Sequence, residues 1–399
     1  MNNENRVAWL RYGMYVLMGI LGFINTMVAP MLKNILNEYQ IPLSLGGTFT
    51  GAMSIGGVLA ILALGVFSDK MSKVKIVIVS YLIFAAGLLL ICFAPSYMYL
   101  VAFFAVVGIG SKAVDTLSNA VIKDAHPDQS GVFLNLMHMF LGIGAILGPI
   151  VSGILLDSGV RWTTVFGGLG ILSVLLCAAF TWIQSLTKQT SITTAAAKTN
   201  SASIASLLKD NRIWIYCLVI FFYCGHQSCI NTWISLYFQK QFAASESLSG
   251  FALAAYWAGI VISRLICSRF YTKDNAKKLL SWGGLLGVTA LAIGILLNVP
   301  AMLFVALLCC GIFTGGTIPV VIDLSCGIYP ERSGAITSLI YVLMNLSTFL
   351  FPVMMGAANE AFGMHVGIIL AILTLALMCV MIFCIKNNTT SKRAGEQHA

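Results

Sequence analysis

Twelve stretches of nearly unbroken apolar sequence, each roughly 20 residues long, leave this chain few ways to fold. They run over 9–30, 45–67, 75–94, 97–120, 131–156, 162–184, 212–237, 248–270, 278–298, 301–323, 333–357 and 361–385. A helix of about 20 residues crosses a hydrocarbon core of about 30 Å. In lipid the backbone must satisfy its own polar groups, which favours helices. The expected fold class is therefore an all-α membrane protein with twelve transmembrane helices. Composition agrees, with 59% hydrophobic and only 9% charged residues, against roughly a quarter charged in soluble domains. The first run is too long for a cleavable signal and lacks a small-residue cleavage site, so it reads as a span.

The net charge of +9 raises the question of nucleic acid, and the placement of the charges answers it. Of the 23 Lys and Arg, Lys33, Arg161 and Lys240 fall on one side and Lys112 and Arg264 within spans, leaving 18 on the side of the N-terminus. That bias expects a multi-pass protein of the cytoplasmic membrane with both termini cytoplasmic. It implies attraction to anionic lipid and no nucleic-acid partner. The eleven cysteines show no paired metal spacing, so neither a metal nor a disulfide framework is expected.

Residues 185–211, rich in Ser, Thr, Ala and Lys, interrupt the apolar pattern. They divide the chain into an N-terminal bundle (1–184), a cytoplasmic linker (185–211), a C-terminal bundle (212–386) and a tail (387–399). The halves repeat at an offset of 203 residues: Gly22 maps to Gly225, SLGG at 44–47 to SLSG at 247–250, and Gly108 to Gly311. AHPDQSG at 125–131 likewise maps to IYPERSG at 328–334, Pro149 to Pro352 and Gly153 to Gly356. Six spans per half put both copies in the same sense, as two pseudo-symmetric six-helix bundles. This is the arrangement of a major-facilitator transporter, with its substrate near mid-membrane between the halves.

Several motifs carry a closer resemblance. The stretch GVFSDKMSKVK at 65–75 resembles the major-facilitator loop signature, although the glycine expected between Asp69 and Lys73 is replaced by Met71-Ser72. That resemblance implies a gating role for Asp69, Lys70 and Lys73. DTLSN at 115–119, NLMH at 135–138 running into Gly148-Pro149, GHQSCINTWISLY at 225–237 and the eighth-span Tyr256-Trp257-Ala-Gly…Arg264 resemble the fucose/galactose/glucose–proton symporter family. The resemblance implies secondary active transport of a small polar, sugar-like solute. Two of that family's carboxylate positions are filled differently, by Asn25-Thr26 before Pro30 and by Gln227. Coupling is left open between a uniporter, Asp115 and His138.

The residues themselves point to a polar cavity. Positions 108, 112, 115 and 119 share one helical face, which places Lys112, Asp115 and Asn119 within reach of one another. Ionisable groups within spans usually face a cavity or the bundle interior, though a Lys112–Asp115 lock to a neighbouring helix is the plainer reading. Hydrocarbon disfavours a charge on Asp115 while Lys112 favours it. Asn135 and His138 form a second polar face, and the histidine is a second candidate proton carrier. Arg264, near the middle of its span, needs either an acid such as Asp115 or a carboxylate or vicinal hydroxyls on the substrate. Trp233, Tyr237, Tyr256 and Trp257 either pack or stack against a sugar ring, and Tyr341 and Asn345 complete the expected substrate contacts. The Gly144–Gly148-Pro149 run also resembles drug/proton antiporters, so efflux of drugs or metabolites and uptake of an organic anion are the alternatives. With no P-loop, no HExxH and no Ser/His/Asp set outside the spans, the chain is expected to be neither ATP-driven nor an enzyme. It is expected to need no cofactor and to act as a monomer with a small-molecule substrate, lipid and, if coupled, protons as its partners.

Overall fold

The computed structural model describes residues 3–67, 72–126, 129–186, 207 and 209–385. Asp69 and Lys70, most of the linker, and the tail lie outside the described residues. The N-terminal half comprises α1 (Asn3–Glu38), α2 (Thr48–Phe67), α3 (Lys73–Ile91), α4 (Tyr97–Ala125), α5 (Ser130–Asp157) and α6 (Trp162–Leu186). The C-terminal half comprises α7 (Asn211–Gln241), α8 (Glu246–Phe270), α9 (Ala276–Leu297), α10 (Pro300–Thr314), α11 (Thr317–Cys326), α12 (Ser333–Phe362) and α13 (Met364–Phe383). Twelve candidate spans result, because α10 and α11 together make the tenth. α1 and α7 extend past their apolar runs, since polar residues outside the hydrocarbon still propagate a helix.

The split in the tenth span is a departure from the single run expected over 301–323. Gly315 and Gly316 lie against α8, where a Cβ on Gly315 would stand 2.6 Å from the Ile260 Cα. The Gly316 N–H, turned out of the helical ladder, donates to Ser263 Oγ at 3.1 Å. Two glycines permit both the break and the close approach of α8.

Repeat symmetry is built into the packing. A Cβ on Gly56 would strike the Ala105 carbonyl, and one on its mate Gly259 the Leu308 carbonyl, again 203 residues along. Gly108 against Met53 and Gly311 against Tyr256 repeat the relation. Small residues let α2 meet α4, and α8 meet α10, at backbone distance.

The same symmetry closes one end of the molecule. On the side away from the linker, Gly250 of α8 abuts the Pro149 carbonyl of α5, and Gly47 abuts the Pro352 carbonyl of α12. The Asp157 carboxylate accepts the N–H of Glu246 at 3.0 Å and of Ser247 at 3.1 Å, at the start of α8. Its repeat mate Glu360 accepts the Leu43 N–H at 2.7 Å, just before α2. Each carboxylate thus satisfies backbone donors at a helix entry of the opposite half. Toward the linker the halves part. Gly131 and its mate Gly334 are exposed, with open space where a Cβ would stand, and so are Asn135 and its mate Ser338.

The end of the linker is tied down at Asp210, the N-cap of α7. Its side chain accepts the Arg212 N–H at 2.8 Å, and Tyr329 Oη donates to it at 3.0 Å. Hydrogen bonds from Arg212 hold this carboxyl down to about 2, against an ordinary 3.8. A depressed acid stabilises the fold fully above its ordinary value, and that contribution is lost as pH falls through the folded value. Asp210→Ala is therefore expected to cost about 1 kcal/mol at neutral pH. Thermal melts should show the gap from wild type shrinking below the ordinary 3.8 and vanishing near 2. A gap independent of pH would show that the carboxylate charge contributes nothing.

Candidate functional site

Between the halves lies a cavity of about 270 Å³, lined from α1, α2, α4, α5, α7, α8 and α12. Of the residues singled out in the sequence, Asn25, Lys112, Asp115, Gln227 and Asn345 line it. Gln227 and Asn231 stand four apart on α7, so one helical face carries both amides into the same wall. Trp257 also lines the cavity, and its indole N–H donates to Asn231 Oδ1 at 2.8 Å. Leu21, Leu32, Phe49, Met53, Phe104 and Leu141 make much of the rest of the wall apolar, and hydroxyls pair across the seam within it: Thr50 with Thr232 at 2.9 Å, and Ser54 with Thr348 at 2.9 Å.

The α4 face is a relay. Lys112 Nζ donates to Asp115 Oδ2 at 3.0 Å and stands 4.9 Å from the Tyr341 ring centroid, a cation–π contact across the seam. Asn119 Nδ2 donates to the Asp115 carbonyl at 2.6 Å and to Oδ1 at 3.3 Å. His138 Nε2 lies 3.0 Å from Asn119 Oδ1. An amide oxygen only accepts, so Nε2 carries a proton and donates. Both oxygens of Asp115 are thereby occupied, and the chain Lys112–Asp115–Asn119–His138 runs from α4 to α5.

Other expectations are placed differently. Arg264 does not meet Asp115; it lies across the seam near His138 and Tyr223, and its Nε is buried without a hydrogen bond. Trp233 is fully buried and donates from Nε1 to the Pro352 carbonyl at 3.0 Å, packing the closed end. Tyr256 is fully buried with its ring against His226. Neighbours on a helix point about 100° apart, so with Trp257 at the cavity Tyr256 turns away. Asn135 is exposed nearer the linker. Lys73 pairs with Asp124 at 2.7 Å, joining the start of α3 to the end of α4 within one half. Thr50, Ser54, Asn231, Thr232 and Thr348 were not expected. The sequence does carry one signal for them, the spacing of four residues between Gln227 and Asn231.

Two matches to the Major Facilitator Superfamily model, over residues 14–269 and 216–399, cover this architecture. The chain belongs to the major facilitator superfamily. Like other members it is a membrane transporter and not an enzyme. An MFS-type transporter of Bacillus subtilis, itself without a described activity, is 22% identical over 357 residues, 88% of this chain and 89% of that protein. A Helicobacter pylori protein provisionally named a glucose/galactose transporter is 25% identical over 335 residues, 78% of this chain and 79% of its own. Among solved structures, the unoccupied, inward-facing bacterial homologue of the human lysosomal transporter Spinster superposes with a TM-score of 0.81. At 13% identity, covering 96% of this chain and 98% of that one, it shares the superfamily fold.

Proposed function

We propose that this superfamily member carries a small polar, sugar-like solute across the cytoplasmic membrane by alternating access. The observation that carries the reading is the seam cavity, whose largely apolar wall carries four amides and a set of hydroxyls and whose end away from the linker is sealed by repeat-related contacts. At about 270 Å³ it sits just below the roughly 300–1,000 Å³ of sites for drug-sized ligands, which suits a compact solute. The basic surplus puts the linker side in the cytoplasm, so the state described here faces inward. Asn25, Gln227, Asn231 and Asn345 present hydrogen-bonding groups to solute hydroxyls, and Trp257 offers an apolar face for a ring. Asp115 and His138 within the relay supply the groups for proton coupling, and Asp69, Lys70 and Lys73 act in gating the cytoplasmic face. The motif resemblance and the name of the Helicobacter pylori relative support the sugar class.

Uptake of labelled hexoses and hexuronates into proteoliposomes under an imposed proton gradient is the direct test. Saturable accumulation of one of them is expected. Extrusion of a cationic dye with no uptake of any of these solutes would move the protein to the efflux class.

A further inference from the structure

Within the spans, Arg264 is a cation without a carboxylate partner among the described residues. Lys112 is neutralised by Asp115, whose oxygens are both engaged. Arg264 takes part in none of the ion pairs found among the described residues, which are Lys73–Asp124, Lys112–Asp115, Arg161–Glu38 and Arg212–Asp210. Ionisable groups within spans usually face a cavity or mark a substrate pathway, and Arg264, half-buried and six residues from the end of α8, is placed to do so.

Its place is functional. Val261 of α8 meets Gly142 of α5, a Cβ there standing 2.6 Å away. One turn further toward the linker, α8 carries Arg264 and α5 carries His138. Arg264 thus lies one turn past the Gly142–Val261 crossing and two turns past Trp257, which lines the cavity. Its Nε is buried with no acceptor. His138 has committed Nε2 to Asn119, which leaves Nδ1 as the ring's remaining polar atom. Arg264 and His138 do not line the cavity itself; along α8 and α5 they lie on its linker side.

We infer that the transported solute carries one carboxylate, bound by Arg264, on a polyhydroxylated body held by the amides above it: a sugar acid in place of a neutral sugar. A carboxylate accepts two parallel N–H bonds from a guanidinium and supplies the counter-ion that Arg264 lacks. A neutral hexose leaves the guanidinium without a counter-ion. The inference rests on the cavity being a transport site, and deepens that reading to a charge class.

D-Glucuronate and D-glucose make the test, because they share a ring and differ in a carboxylate against a hydroxymethyl group. Binding to purified wild-type protein, read by calorimetry and by the shift in melting temperature, is expected to favour glucuronate at least tenfold. Arg264→Gln should weaken glucuronate binding about thirtyfold or more and leave glucose within about twofold. Arg264→Lys should recover part of the loss, since the charge stays and only the two-pronged geometry goes. Equal wild-type affinity for the two sugars would overturn the inference, as would unchanged glucuronate binding by Arg264→Gln. Wild-type protein that binds neither probe yet accumulates another solute would overturn the sugar-acid assignment and leave transport standing. Uptake of no solute would overturn both. The wild-type comparison needs no variant to fold.

Discussion

Gly250→Val is expected to lower uptake at least tenfold while the protein still folds and enters the membrane. Gly250 sits near the start of α8 where it crosses α5, and any Cβ there meets the Pro149 carbonyl. The obstacle is backbone, so no rotamer change relieves it. Overpacking of this kind costs about 1–3 kcal/mol, enough to move a two-state balance by about five- to 150-fold. The cost falls on the state described here, in which α8 and α5 touch at that end. A state opened at that end separates them and escapes it. The population should therefore shift toward the open end, leaving the return step of the cycle starved. Gly47→Val should do the same through Pro352, because the two contacts are repeat mates. Gly131→Val is the control, since open space surrounds that position in this state. In a background with the native cysteines replaced, Asn231→Cys should react faster with an impermeant thiol reagent from the side away from the linker once Gly250→Val is present. Unchanged labelling together with normal uptake would show that this crossing does not limit closure.

The architecture was legible because two signals, one coarse and one fine, agreed. Hydropathy marks spans whatever their partners, and the 203-residue offset marks which helices are equivalent. The structure adds that the repeated glycines Gly56/Gly259, Gly108/Gly311 and Gly47/Gly250 mark equivalent helix–helix contacts, a relation that one-dimensional spacing does not contain. The break at Gly315–Gly316 was missed because hydropathy is blind to a hinge: the two glycines sit inside a run whose mean stays apolar. Within the site, the charged and amide residues stood out against a hydrocarbon background, and Asn25, Lys112, Asp115, Gln227 and Asn345 do share one cavity. Aromatic residues carried no such contrast. Trp233 and Tyr256 pack the interior, and the adjacent Trp257 faces the cavity. Thr50 and Ser54 escaped notice because a hydroxyl on a membrane helix usually bonds its own backbone, as Ser54 also does with the Thr50 carbonyl at 3.0 Å.

Asp115→Asn is expected to abolish accumulation against a gradient while leaving exchange of internal for external solute measurable. The carboxylate is the hub of the relay, taking Lys112 on one oxygen and Asn119 on the other. An asparagine keeps the shape and the Asn119–His138 link but cannot exchange a proton. If proton affinity at this carboxylate differs tenfold between the two states of the cycle, about 1.4 kcal/mol is transmitted, within the usual coupling range of about 1–3 kcal/mol. A plainer account has the same variant fail because Lys112 loses its counter-ion, a loss of about 3–5 kcal/mol for a broken buried pair. The double variant Lys112→Met/Asp115→Asn separates the two. It removes the orphan cation, so a purely structural pair predicts that accumulation returns. A proton-carrying Asp115 predicts that exchange persists and accumulation does not return, and this is the expected result. His138→Gln should change the pH dependence of uptake less, because a glutamine amide can still donate to Asn119. Accumulation driven by a proton gradient in either Asp115 variant would assign the aspartate to the framework of α4 and leave coupling to another group.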